Sequence, residues 1–263
     1  RPSPRGQVVV VCAEGERHVL PARMMAELLA EHGWAVTMLG PAVNAEHLRN
    51  YVLSRPSLAV AVSCSIPGFL GGVRRTIEGA HAAGIPVLAG GRALTAARAT
   101  ALGADAFARD AEAASEILSC WADRPPCVRP EPPVPATEGT DGASQSGWAE
   151  WAELEGRTNE VLDRALQDFW PRFPPLAGYD RGEQVRIREH LEGILQSLTA
   201  SLLVADPGIL ADHLTWLDVV LTARCVPVGL VGNLIESLLA VMDGQFPKSR
   251  ALLVAACRQS IGD

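Results

Sequence analysis

The residues best placed to do chemistry are Glu16 and His18, which follow directly on the apolar run Gln7 to Ala13. The run reads as a buried strand, so an imidazole stands at its carboxyl end with a carboxylate two residues upstream. That pairing is one way to make a metal-ligand histidine: one ring nitrogen binds the metal while the other donates to the carboxylate, which fixes the tautomer and raises the basicity of the ligand. The plain alternative is a loop histidine with no partner. Two further groups fall at ends of later apolar runs: Ser63 and Ser65 after Ser57 to Val62, and the pair Gly90-Gly91 after Ile85 to Ala89. Each also has a plain reading, as a core strand serine and as an ordinary turn between a strand and a helix.

Positioning these groups needs an alternating architecture. Short β-branched runs at 7–13, 34–40, 57–65, 85–90 and 104–108 are each bounded by Gly, Pro or Asn, as strands of a doubly wound sheet require. Between the first two, Pro21 in a first helical turn and Gly33 past the last one bracket a helix with Met24, Met25, Leu28 and Leu29 as its apolar face. Helical patterns recur near 44–54, 68–83, 94–102 and 111–122. Such units predict a flavodoxin-like α/β parallel sheet, ordered 2-1-3-4-5, over residues 7–123. Ligands of that architecture bind beyond the carboxyl ends of the strands, at the switch point between the first and third. His18, Ser63 and Gly90 all belong to that edge. His32, His47 and His81 fall on predicted helices away from it and read as surface or structural histidines.

Residues 124–146 break the pattern with Pro125, Pro126, Pro130, Pro132, Pro133 and Pro135 and then a Thr/Gly/Ser-rich stretch, which reads as a linker. Residues 147–263 read as an all-α, globin-like or bundle-like domain of about five helices. The first runs from Trp148 to Trp170 and stops before Pro171. Asp180 with Glu183 forms a capping-box start for a helix to about Ala205. Asp206-Pro207 opens a third that runs to Arg224, Pro227 opens a fourth and Pro247 precedes a fifth.

Composition narrows the class. The net charge of −7 and the lack of a basic stripe argue against nucleic-acid binding. No apolar run reaches the roughly 20 residues of a membrane span, and the start has no signal-peptide pattern; its Arg1 in place of Met points to a trimmed start. The six cysteines show no paired or framework spacing, which predicts reduced thiols in a cytoplasmic protein.

With His18, Ser63 and Gly90-Gly91 in this order, the chain resembles the cobalamin-binding domain family, whose signature is Asp-x-His-x-x-Gly, then Ser-x-Leu, then Gly-Gly. The resemblance implies that His18 displaces the dimethylbenzimidazole base and becomes the lower ligand of cobalt, with Glu16 behind it. It also implies that Ser63 contacts the released base and that Gly90 and Gly91 leave room for the nucleotide tail, with Ser65 beside them. The sequence departs from the signature in three places. Glu16 stands for aspartate, Pro21 for glycine and Ser65 for leucine, so contact at the last is polar.

The order of an α/β domain, a Pro-rich linker and a helical domain further resembles the photocobilins, photoreceptors that bind a cobalamin and biliverdin. That resemblance implies adenosylcobalamin in the first domain and a bilin in the second. Light would cleave the cobalt–carbon bond and change the packing above the corrin. The output would be a light-dependent homo-oligomer, most simply a dimer, or contact with a separate effector; the chain would then be a sensor and not an enzyme. A bilin needs cations for its propionates, an acceptor for its pyrrole N–H groups and flat apolar walls. Arg186, Arg188, His190, Asp212, His213, Trp216 and Arg224 are the candidates, with Leu217 and Val220 on the same stripe, and Cys225 is a conceivable attachment point. Competing readings make the chain a corrinoid carrier or accessory protein for methyl transfer, or place a haem at His190 or His213.

Overall fold

The computed structural model describes residues 5–41, 43–128, 143–173, 178, 180–224, 226–227 and 229–260. The chain divides into two compact units, residues 1–136 and 137–263. Cys225 and residues 129–142 of the Pro-rich stretch lie outside the described residues.

The first unit alternates strand and helix. Its strands are β1 (Gln7–Cys12), β2 (Ala35–Gly40), β3 (Ala59–Ser63), β4 (Val87–Gly90) and β5 (Ala106–Ala108). They form one parallel sheet in the order β2-β1-β3-β4-β5, the expected flavodoxin-like order. The helices are α1 (Val19–Glu31), α2 (Ala45–Ser54), α3 (Leu70–His81), α4 (Ala96–Leu102) and α5 (Ala111–Asp123). Parallel strands need crossovers on both faces, so β1 and β3 are apolar on both sides: Val8 to Val11 and Ala59, Val60 and Val62 are all buried. Local chemistry sets the helix starts, since Asn44, Thr95 and Asp110 each accept a backbone N–H from the first turn of α2, α4 and α5.

One face of the sheet carries a row that matters later. Strand register aligns Cys12, Ser63, Gly90 and Ala108, and one step below aligns Val10, Ala61, Leu88 and Ala106. Alternation places both rows on the face that packs with Ala22, Ala26 and Leu29 of α1 and Ala114, Leu118 and Trp121 of α5. The small members of these rows, Ala61, Ser63, Gly90 and Ala108, leave open space between the strand ends and the two helices.

The second unit is all helical: α6 (Ala143–Gly156), α7 (Thr158–Arg172), α8 (Arg181–Val204), α9 (Gly208–Ala223), α10 (Leu230–Met242) and α11 (Pro247–Ser260). The sequence predicts one helix from Trp148 to Trp170; the structure breaks it at Arg157. There the Arg157 N–H reaches back to Glu153 and Leu154, and the Thr158 hydroxyl takes up the Leu154 and Glu155 carbonyls. Pro171 does not stop α7 but lies within its last turn. The capping box is present, with Asp180 accepting from the Glu183 N–H and Glu183 accepting from the Asp180 N–H, both at 2.8 Å. The core of this unit centres on fully buried Phe169 and Phe246 with Leu162, Leu191, Leu198, Leu234 and Leu238.

Candidate functional site

His18 is the residue before α1, and its ring does not cap that helix. The Nδ1 atom lies 3.1 Å from Glu16 Oε1. Because an ionised carboxylate only accepts, Nδ1 carries the proton, and Nε2 keeps its lone pair for a metal. The His18 side chain is 53% exposed, whereas that of Glu16 is 1% exposed. A buried carboxylate must be held by donors; besides the His18 Nδ1–H these are the Ser65 N–H, at 3.1 and 2.9 Å from the two Glu16 oxygens, and the Cys64 thiol. The Ser65 hydroxyl itself is buried with no partner among the described residues. Ser65 therefore enters the site first through its backbone, which the sequence did not reveal.

Two thiols flank this carboxylate. Burial, and then the charge of Glu16, push the Cys12 thiol up to about 11. Cys64 is raised well above its ordinary value by the same two causes in the same order. Both stay protonated at neutral pH, so neither competes with the imidazole as a metal ligand.

The segment carrying His18 is anchored from a second side. Glu14 accepts from Arg75 Nε of α3 at 2.9 Å and from the Ala45 N–H that opens α2 at 3.0 Å. Gly72 of α3 sits so close beneath that a Cβ there would fall 1.9 Å from the Glu14 carbonyl oxygen. The Cys64, Ser65 and Gly91 turns are pressed together in the same way. Gly91 has φ +108°, and a Cβ on it would meet the Cys64 carbonyl oxygen at 2.3 Å; one on Gly90 would meet the Ala108 oxygen at 2.8 Å. Only glycine permits both the backbone angle and the approach at residue 91.

Beside these residues opens a cavity of about 340 Å³. Its floor is the row of small residues, Ala61, Ser63, Gly90 and Ala108, and its walls are Leu20, Met24, Met25 and Leu28 of α1 and Ala111 and Ala114 of α5. This corrects the expected role of α1. Leu29 is buried with Ala22 and Ala26, but Met24 and Leu28 are 57% and 41% exposed and face the cavity instead of a closed core. Small residues on alternate positions of three strands are the signal for it, readable only once the strands are in register.

His18, Ser63, Gly90 and Gly91 thus share one edge, as the sequence reading places them. Among the described residues no group of three or more His, Cys, Asp or Glu side chains could hold a metal ion. A macrocycle with a pendant flat base fits these residues: one imidazole nitrogen for the metal, an apolar slot with one hydroxyl for the base, and glycines beside the connecting chain. His81, in contrast, is a structural histidine, buried on α3 with Nε2 2.8 Å from Asp105. His32 closes on the Leu28 carbonyl at the end of α1, and the His47 N–H is capped by Asn44.

In the helical unit, His190 of α8 and His213 of α9 come together. Burial lowers the basicity of His213, and the charge of His190 adds to it. Burial likewise lowers His190; among its neighbours, Glu189 opposes the shift while Arg224 and Arg186 reinforce it. The His213 ring packs against Gly193, where a Cβ would lie 3.2 Å from Cε1 and Nε2, and Nε2 is buried without a partner among the described residues. Trp216 stands 5.7 Å from the His213 ring centroid and is 58% exposed. Arg188 leaves the expected group: it pairs with Asp163 of α7 at 2.6 Å. Asp212 is exposed, and Leu217 is core.

Residues 6–119 match the model of the family described as "B12 binding domain". No curated protein matches the chain. Among solved structures, it is similar to a novel cobalamin-binding protein from Desulfitobacterium hafniense DCB-2, at 23% identity and TM-score 0.42, covering 44% of this chain and 59% of that one. It is also similar to the methanol:cobalamin methyltransferase complex MtaBC from Methanosarcina barkeri, at 23% identity and TM-score 0.44, covering 49% and 50%. A third is the Methanosarcina barkeri monomethylamine corrinoid protein, at 20% identity and TM-score 0.39, covering 44% and 57%. The chain thus spans between 50% and 59% of the length of these proteins. No helix among the described residues is long and apolar enough to cross a membrane.

Proposed function

We propose that residues 6–119, a B12 binding domain, hold cobalamin with His18 in place of its own nucleotide base, and that the chain is a corrinoid carrier or accessory protein. The observation that carries this reading is the half-exposed His18 ring, held through Nδ1 by a buried carboxylate and followed two residues on by Leu20, which lines the apolar cavity. In this reading His18 Nε2 is the lower cobalt ligand, Glu16 orients it, and Ser65 holds Glu16. Ser63 donates to the released base in the cavity, and Gly90 and Gly91 flank the tail. When bound, the group would supply a cobalt able to carry and exchange an alkyl substituent.

The test is electron paramagnetic resonance of the cobalt(II) form bound to the whole chain. Labelling the protein's histidines with ¹⁵N should change the number of superhyperfine lines, and His18→Ala should remove that sensitivity. Label-insensitive lines in the unsubstituted chain would refute the assignment.

A second reading, an adenosylcobalamin- and biliverdin-binding light sensor acting through a homodimer, is favoured by one observation. Arg186, His190, His213 and Arg224 gather beside the exposed Trp216, which supplies cations, neutral imidazoles and a flat wall to an anionic planar ligand. Biliverdin uptake together with a green-light change in the adenosylcobalamin spectrum would support the sensor. Neither response would leave the carrier.

A further inference from the structure

The cavity over Ser63 and Gly90 is lined almost wholly by apolar side chains. Of the described residues around it, only Ser63, Arg109 and Asp110 have polar side chains. The last two lie at the rim: Arg109 is 83% and Asp110 50% exposed, the two pair at 3.1 Å, and Asp110 already caps the Ala113 N–H. Ser63 is thus the one polar side chain on the floor, aligned with Gly90 and Ala108. Three backbone carbonyls around it already accept a hydrogen bond. The Gly90 carbonyl accepts from Cys64, the Gly91 carbonyl from Leu94, and the Ser63 carbonyl from Ala13. One hydroxyl can serve one ring nitrogen, and a polar group without a partner in such a slot loses its water and gains nothing.

We propose that this cavity selects corrinoids by their lower base, accepting a benzimidazole and rejecting a purine; this rests on the proposed cobalamin-binding role. A dimethylbenzimidazole presents one free nitrogen, for Ser63, and otherwise only hydrocarbon, which suits Met24, Met25 and Leu28. An adenine base of similar size adds an exocyclic amine and further ring nitrogens, and the wall side chains Met24, Met25, Leu28, Ala111 and Ala114 offer them no polar partner. Ala61 is the size-determining residue, because it lies directly beneath Ser63 on the same face, in register between Val10 and Leu88.

The test is equilibrium binding of three corrinoids to the full chain, followed by absorbance: cobalamin, its adeninyl analogue, and cobinamide, which has no nucleotide base and so reports on the His18 site alone. Cobalamin should bind about tenfold or more tighter than the adeninyl form, the factor expected for one buried unpaired group. Ala61→Leu should bring cobalamin down to the affinity of cobinamide while cobinamide binding stays unchanged. Equal affinities of the two base-bearing corrinoids for the unsubstituted chain would overturn the proposal, as would undiminished cobalamin binding by the variant. Should Ala61→Leu also lose cobinamide, the unsubstituted chain alone decides between the two bases. Failure of all three corrinoids to bind the unsubstituted chain would instead overturn the cobalamin-binding role, and the selectivity with it.

Discussion

His18 and His213 show two opposite uses of one side chain. In the α/β unit the ring of His18 lies half in solvent while its carboxylate is buried beneath it. In the helical unit the His213 ring is tucked against Gly193, and a buried nitrogen has no partner among the described residues. The first arrangement spends its buried polar group on aiming a lone pair outward. The second spends burial on packing, and the imidazole stays neutral because burial disfavours its charge. A histidine's meaning therefore depends less on its own exposure than on where its charged partner is buried.

Each site has a glycine that a methyl group can probe: Gly91 against Cys64, next to the Ser65 that holds Glu16, and Gly193 against the His213 ring. Gly91→Ala places a methyl against backbone at 2.3 Å, at φ +108°, and should cost on the order of 2–4 kcal/mol in urea denaturation. Gly193→Ala meets only the His213 ring at 3.2 Å and gains helix propensity, so its stability should stay within about 1 kcal/mol of the parent. Similar costs at both positions would erase the contrast.

A smaller effect is expected at Glu16. Glu16→Gln keeps the shape but removes the charge that the His18 Nδ1–H donates to, and it should weaken cobalamin binding by about 10–100-fold. Titration of the variant followed by absorbance checks this, and unchanged affinity would reduce Glu16 to a loop anchor.

The smallest effect is one of pH on the helical unit. His190 and His213 have folded-state values below the ordinary histidine value. The unfolded chain therefore binds more protons as pH falls below about 6.5, and stability contributed by the neutral rings is lost there, not gained. Thermal melts should show a lower transition for this unit at pH 5.5 than at pH 7.5, and NMR titration should place both imidazoles below an exposed histidine. A higher transition in acid would contradict the burial argument.

Much of the α/β unit is legible in the sequence because its signals are local. Val8 to Val11 and Ala59 to Val62 are continuous apolar runs, and Glu16 and His18 are near enough in sequence that their contact needs no long-range folding. The cavity is not legible in that way. It depends on Ala61, Ser63, Gly90 and Ala108 meeting across strands, and helical periodicity alone assigns Met24 and Leu28 to a closed core. The Arg188–Asp163 pair escapes the sequence for a related reason: spacing on α8 cannot reveal a partner on another helix. The break at Arg157 escapes notice because the apolar pattern continues through it.

The double anchoring of the His18 segment has a thermodynamic consequence. Glu14 is tied to α2 and α3, Gly72 is pressed beneath it, and Glu16 is tied to Ser65. A segment already held at both carboxylates has little conformational freedom left to surrender when a ligand arrives. Association should therefore show a small ordering penalty in calorimetry, with its heat-capacity change set by the apolar surface covered and not by loop folding.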